Sequence, residues 1–464
     1  MPRLKLSLAV ACLLFAVLLR AQNPPLTQKP LVTLQGTVVG PEGQPLVGVR
    51  IDVRPRGITD EVFADTITDI DGKFALLAIA LAPGLYLVHA SAIGYEPDEK
   101  SFEVAAEGQG VNLTFTLNLT PQVKTRGISS AFTVVRIFYA TDRQPVTSHK
   151  SVDYIGIRSA NNTLSYGTCD VSIPETHTIA EIERPSIWKF EFHADPEKHM
   201  VLKKVEPESK DAFFNQVSAT VTSSPAKEAF VFIHGYNVSF EDAAIRTAQL
   251  SYDFGFKGAP IFYSWPSKAS LLGYVADERA IDETVTNLKL FLADVANRSG
   301  ASVVHVIAHS MGNRATLSAL AQLAGDAQFP NFSKFSSVVF AAPDVDRDVF
   351  IKQVTQIRKP QTNITLYVSQ HDQALAASHL LFHKALRAGE GGSDSIVIPG
   401  MDTVDVSKLS TDALGHSYYG DNRNVVQDVL EFLKGQIAPR PALSKIPLGS
   451  LAYWELLATA QAAN

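Results

Sequence analysis

Five short apolar runs in the second half of the chain constrain its fold more than any other feature. They read AFVFIHGY, PIFYSWPS, SVVHVIAHS, SSVVFAAPD and NITLYVSQHD, and each ends in small or polar residues. Helix-forming stretches lie among them, FEDAAIRTAQLSYDFG, RAIDETVTNLKLFLADVANR and NRATLSALAQLAG, with ALAASHLLFHKALRA after the last run. Continuous apolar strands alternating with helices predict a mainly parallel sheet covered on both faces, an α/β fold. Ligands bind beyond the carboxyl ends of such strands. The polar residues that terminate the runs are therefore the functional candidates.

The third run passes through Ala308-His309-Ser310-Met311-Gly312 directly into helical sequence. A serine on so sharp a turn needs small residues two before and two after it, because strand and helix approach closely there. Ala308 and Gly312 meet that demand. A helix N-cap is the cheaper explanation of such a serine taken alone. Between a buried strand and a helix, the nucleophile reading is preferred.

A serine nucleophile needs a base and an orienting acid. In this architecture the chain order is serine, acid, histidine, which leaves His379, His383 and His416 as bases. His379 and His383 share a helix face in SHLLFHKAL without the Glu of H-E-x-x-H, so packed or surface histidines fit better than zinc ligands. His416 stands in ALGHSYYGDN, a glycine-containing loop before the final helix, where a base is delivered over the sheet end. Asp372 closes the fifth run and is the preferred acid. Asp344 closes the fourth and stays the alternative, with turn capping as its plainer reading.

For the oxyanion, Met311 supplies the amide after the nucleophile, and Tyr236 or Asn237 would supply the second donor from the end of the first run. Gly235 lets that backbone turn, and His234 beside it reads as a structural hydrogen-bonding residue. Trp265 is expected to wall the pocket, with plain packing a close second reading. The apolar SLLGYVA, 270–276, suggests an acceptor pocket or lid.

The first 120 residues are organised differently. Arg3 and Lys5 precede a fourteen-residue apolar run, Leu6 to Leu19, and then RAQNPP. This is the pattern of a secretory signal cleaved after Ala21, the run being short for a membrane anchor. Removing residues 1–21 takes the net charge from −6 to −9. An acidic export product offers no basic surface for nucleic acid. Cys12 lies in the signal, which leaves Cys169 alone and no disulfide framework. From Leu31 to Thr120, short alternating runs with Gly, Pro and Asp punctuation predict an antiparallel β-sandwich, with tight turns at Asp71-Gly72 and Pro83-Gly84. Residues 122–130 read as a linker, the second domain as 131–435, and 436–464 as a proline-bearing tail.

GTVVGPEGQPLVGVRIDV, TDIDGKFAL and APGLYLVHASAIGYEP, within residues 31–120, resemble the carboxypeptidase regulatory-like (transthyretin-like) β-sandwich, a module that implies an accessory role. From about Phe132 to Leu433 the chain is similar to the bacterial α/β-hydrolase family of unknown function DUF900, a group regarded as esterases. The matching segments are FYATDR, YGTCDVSIP, FVFIHGYNVSFEDAAIRTAQLSYDFGFKGAPIFYSWPS, VIAHSMGNR, FAAPDVDRDVF, LYVSQHDQALAAS and LGHSYYGDN. The resemblance implies Ser310, Asp372 and His416 as the triad and sets His234 to Asn237 beside the oxyanion site. The expectation is an exported, periplasmic or secreted serine hydrolase of carboxylesterase or lipase type, acting on acyl esters without metal or other cofactor. The same triad would serve an amidase or acyltransferase. A reading from another class is a non-catalytic cell-envelope binding protein, its sandwich contacting envelope or polysaccharide.

Overall fold

A computed structural model describes residues 30–46, 49–55, 64–69, 71–92, 95–105, 109–118, 132–148, 151–185, 194–269, 273–378, 385–409 and 418–457. The signal segment 1–21, His379, His383 and His416 lie outside these residues, as does part of SLLGYVA.

The N-terminal part is a sandwich of seven strands: β1 (Leu31–Val39), β2 (Arg50–Pro55), β3 (Ala64–Ile67), β4 (Lys73–Ala80), β5 (Gly84–Ser91), β6 (Asp98–Val104) and β7 (Gln109–Thr116). They form two sheets, β4-β1-β7 and β3-β2-β5-β6. Along β1 inward and outward residues alternate, so Val32, Leu34 and Val38 meet Val53, Val88 and Phe115 in one apolar core. The Asp71-Gly72 turn is present, with Gly72 at φ +70° and no room for a side chain, since a Cβ would lie 2.6 Å from the Val38 carbonyl. One expectation fails. β7 runs parallel to β1, so the sandwich is not wholly antiparallel. Turn signals specify hairpins between sequence neighbours and carry no information on how the last strand meets the first.

The second part is built on an eleven-stranded sheet ordered β12-β11-β8-β14-β13-β15-β16-β17-β18-β20-β19. Its strands are β8 (Phe132–Thr141), β11 (Ser165–Pro174), β12 (Val201–Glu208), β13 (Glu228–Ile233), β14 (Ala259–Ser264), β15 (Val303–His309), β16 (Phe335–Ala341), β17 (Asn363–Val368), β18 (Asp402–Asp405), β19 (Leu443–Leu448) and β20 (Leu451–Leu456), with β9 (Arg143–Ser148) and β10 (Ser151–Arg158) as a separate hairpin. Neighbours from β8 through β18 to β20 are parallel. The two edges are antiparallel.

The helices are α1 (Lys210–Ser223), α2 (Phe240–Asp253), α3 (Tyr274–Arg298), α4 (Gly312–Gly325), α5 (Arg347–Ile357), α6 (Gln373–Ser378), α7 (Tyr418–Asp421) and α8 (Arg423–Leu433). In β13, Val231 and Ile233 join a core with Leu288 of α3 and Leu317 of α4. Phe230 and Phe232 point the other way, into a core with Ala244 of α2 and Val429 of α8. Both faces are apolar, which is why the runs read as continuous. Each such side chain stabilises the fold by roughly 1.5–3 kcal/mol on burial.

The sheet also extends beyond residue 435. Residues 443–456, expected in a tail, form the β19–β20 hairpin, and β20 pairs with β18. Buried Arg440 fastens this extension through Asp428 at 2.8 and 2.9 Å and Asp402 at 2.9 Å. The expected helix ALAASHLLFHKALRA is reduced in its described portion to α6, and Arg387 instead bridges to Asp346 outside any helix.

Candidate active site

Ser310 stands between β15 and α4 with a backbone φ of +52°. A residue with a side chain pays about 1–3 kcal/mol for this left-handed conformation and keeps it only where its surroundings enforce it. Here they do. The Ser310 N–H donates to the Ala341 carbonyl at 3.0 Å. Its own carbonyl accepts from the amides of Asn313 and Asp344 at 3.1 and 3.2 Å, and from Asn313 Nδ2 at 2.9 Å. The N-cap position of α4 is Met311, without any side-chain cap bond. Ser310 itself stands one residue ahead of that position. Gly312 is required by contact, because a Cβ there would lie 2.3 Å from the His234 carbonyl.

That contact brings the turn at Ser310 against the loop that follows β13. A Cβ on Gly235 would come within 2.8 Å of both His309 Nδ1 and Ser310 Cβ, so only glycine allows the loop so near. His234 is 1% exposed, and its Nδ1 lies 2.8 Å from the Gly235 carbonyl. Its Nε2 faces Ser264 Oγ at 3.1 Å and Arg143 Nη2 at 3.3 Å. A guanidinium only donates, so Nε2 is the acceptor and Nδ1 carries the proton. Burial, reinforced by the Arg143 charge, pushes its pKa down to about 3. A histidine that stays neutral acts here through hydrogen bonds and not through charge.

Trp265 has another place than the expected pocket wall. It is fully buried, its ring stacked on His234 at 5.1 Å and its Nε1 donating to the His234 carbonyl at 2.8 Å. It backs the loop from behind. Asn237, at φ +56°, turns its N–H to the buried carboxylate of Asp277, which also accepts from Ser267 Oγ at 2.6 Å and Lys268 N–H at 2.7 Å. Asn237 is thereby removed as an oxyanion donor. Tyr236, beside Gly235, and Met311, across the turn, are the other two candidates, and both lie next to Ser310 in this arrangement.

The two candidate acids differ in their partners. Asp344 is saturated. Its Oδ1 accepts from Arg387 Nε and Ser378 Oγ, both at 2.8 Å, and its Oδ2 from Tyr274 OH at 2.7 Å. Burial alone would raise its pKa, but Arg387 and the hydroxyls outweigh it and hold the carboxyl below its ordinary value. Asp344 is an anchor of the loops beside Ser310, not an acid awaiting an imidazole. Asp372 is 3% exposed on the turn after β17, where its Oδ1 accepts the Leu375 N–H at 3.0 Å. His309, next to Ser310, stacks on Tyr419 of α7 at 4.2 Å. α7 is held by Gln249 Nε2 on the Gly420 carbonyl at 2.9 Å and by an Arg246–Asp421 ion pair at 2.6 Å.

Arg143, Asp277 and Arg387 escaped the sequence reading. For Arg143 the sequence holds a signal: it stands two residues beyond the apolar FYAT that ends β8, at the same end of the parallel sheet as the other candidates. Among the described residues no group of three or more His, Cys, Asp or Glu is placed to hold a metal ion.

Residues 209–432 match the family described as an alpha/beta hydrolase of unknown function (DUF900), and residues 33–118 match the carboxypeptidase regulatory-like domain. Among solved structures, 3-chlorocatechol 1,2-dioxygenase from Rhodococcus opacus 1CP is 17% identical, with 20% of this chain and 61% of that one covered and a TM-score of 0.16. The dioxygenase domain of a dioxygenase carbohydrate-binding protein fusion from Streptomyces sp. SirexAA-E is 20% identical, with 21% and 86% covered and a TM-score of 0.17. The chain thus spans about three fifths of the length of the first of these. No curated protein matches it.

Proposed function

We propose, for a chain that joins a carboxypeptidase regulatory-like domain to a DUF900 α/β-hydrolase domain, that it hydrolyses acyl esters through an acyl-enzyme on Ser310. The observation that carries the reading is the left-handed Ser310, kept at a strand-to-helix turn one residue before the N-cap position of α4. In this reading Ser310 Oγ attacks the ester carbonyl and passes its proton to His416. Asp372 orients the imidazole, and the imidazolium returns the proton to the departing alcohol. The Tyr236 and Met311 amides receive the charge that develops on the carbonyl oxygen. Water then attacks the acyl-enzyme with His416 as base, releasing the acid and restoring Ser310. Support for His416 comes from Tyr419, which follows it closely in sequence and lies against His309. Residues 1–21 act as an export signal in the same proposal, the sandwich serving as a docking module toward envelope or polysaccharide.

The test is turnover of a p-nitrophenyl ester series by residues 22–464 beside Ser310→Ala, with a fluorophosphonate label on both. Turnover and labelling lost in the variant support the reading. A folded wild type with neither would move the protein to the binding class.

A further inference from the structure

Arg143 opens β9, and only 1% of its surface meets solvent. Its guanidinium is surrounded by four acceptors. Nε donates to Ser264 Oγ at 2.8 Å, Nη1 to the Ser267 carbonyl at 3.0 Å and Nη2 to the Val238 carbonyl at 2.8 Å, with His234 Nε2 at 3.3 Å. His234 and Val238 are the two ends of the loop that carries Gly235, Tyr236 and Asn237. Ser264 and Ser267 belong to the end of β14 and the turn beyond it. Ser267 Oγ ties back to the same loop, accepting the Val238 N–H at 3.2 Å and donating to Asp277 at 2.6 Å.

Among the described residues no carboxylate touches this guanidinium; every contact is to a neutral acceptor. Burial pushes its pKa down, with nearby Asp277 opposing, to about 10. It is still a cation at neutral pH. Holding a charge inside without a counter-ion in contact is costly, and neutral side chains would close a protein core more cheaply. What a guanidinium offers is a rigid planar fork that fixes several acceptors at once, which neither Lys nor a neutral residue provides.

We infer that Arg143 is a positioning residue of the oxyanion loop, fixing residues 234–238 so that the Tyr236 amide faces the oxyanion beside Ser310. The inference rests on the esterase reading. Its reach to the chemistry is short, because Gly235 already lies against Ser310 and leaves the loop no slack.

Steady-state kinetics of residues 22–464 as wild type, Ser310→Ala, Arg143→Lys and Ser264→Ala test it, beside thermal melts. Arg143→Lys keeps a cooperative melt and a KM within about twofold, while kcat falls on the order of 100-fold, the scale of losing one oxyanion donor. A trifluoromethyl ketone analogue of the transition state loses affinity in the same proportion. A folded Arg143→Lys protein with wild-type kcat, or with the whole loss in KM, overturns the inference and leaves the esterase reading standing. A wild type without Ser310-dependent turnover overturns both. Should Arg143→Lys fail to fold, Ser264→Ala decides, since it removes the acceptor of Arg143 Nε, together with the hydroxyl facing His234, and leaves the cation. A fall in kcat at constant KM supports the inference, and unchanged kcat overturns it.

Discussion

Two buried arginines flank the strand that carries Ser310, and they are held in opposite ways. Arg143, on the β14–β13 side, contacts neutral acceptors throughout. Arg387, on the β16–β17 side and 3% exposed, contacts the carboxylate of Asp344 at 2.8 Å. The first keeps its field and spends its donors on ordering a loop. The second is neutral as a pair and ties two loop segments together, with Tyr274 and Ser378 closing the remaining valences of Asp344. The difference teaches that burial of a cation does not by itself name its role. The chemistry of the acceptors does: neutral backbone acceptors mean placement of a chain segment, and a carboxylate means anchorage.

The sharpest test of that division is Arg387→Met. It leaves Asp344 buried without its cation, a change that costs about 3–5 kcal/mol. Urea unfolding at pH 7 should show this loss, while kcat of the folded fraction falls less than in Arg143→Lys. The pH dependence has a definite sign. A carboxylate held below its ordinary pKa contributes stability above its unfolded value, and that contribution is lost as pH falls through the lower folded value. Without Arg387 burial is opposed only by the Tyr274 and Ser378 hydroxyls and by Arg314, so the gap between wild type and variant should narrow as pH falls through the lowered folded value of the wild type. A loss under about 1 kcal/mol at pH 7 would put Arg387 with surface pairs and end the distinction.

The sequence carried the strand order's consequences better than its side-chain wiring. Alternation of apolar runs and helices was enough for the parallel sheet, and the small residues around Ser310 for the turn, because both follow from local sterics. Which carboxylate is engaged by which cation depends on pairs far apart in the chain. Asp344 meets Arg387 across forty-odd residues and Asp277 meets Asn237 across a helix and a strand, and neither spacing has a period. Trp265 was misplaced for the same reason. An aromatic at a strand end fits a pocket wall or a packing partner equally well until His234 is found beneath it. The terminal hairpin reads as a tail in the sequence because β19, at the sheet edge, and β20 beside it carry mixed, largely half-buried residues without a continuous apolar run.

A third buried cation extends the comparison to one that titrates. His177, with its side chain 2% exposed, lies between Glu183 at 2.8 Å and Asp253 at 2.7 Å. Burial opposes its charge, but hydrogen bonds to Asp253 and Glu183 win and raise its pKa to about 9. A group with a raised folded pKa contributes stability that is complete below its unfolded value, near pH 6.5, and lost as pH rises through about 9. His177→Gln should therefore cost roughly 2–3 kcal/mol at pH 6 and little at pH 10. Chemical denaturation at the two pH values measures it. An equal cost at both would mean that His177 is held neutral, by shape and not by charge.

The smallest effect is expected where the cation is half exposed. Arg50, on β2 of the sandwich, meets Asp242 at 2.9 Å, with side-chain exposures of 31% and 17%. Asp242 is also the third residue of α2, where it completes a capping box with Ser239, and it accepts from Arg184. Arg50 and Asp242 thus join the sandwich to the helix that begins directly after the 234–238 loop. Solvent screens such a pair, so a double-mutant cycle of Arg50→Ala and Asp242→Asn should give a coupling of about 0.5–1 kcal/mol. Asparagine keeps a capping acceptor, which confines the change to the charge. If the proposed ester hydrolysis is observed, its turnover should be unaltered in Arg50→Ala, because Arg143 and Asp277 hold the loop from within. A tenfold fall in kcat would instead mean that the sandwich acts on the loop through α2. The division between the cation that places the loop and those that only anchor would then have to include a residue of the sandwich.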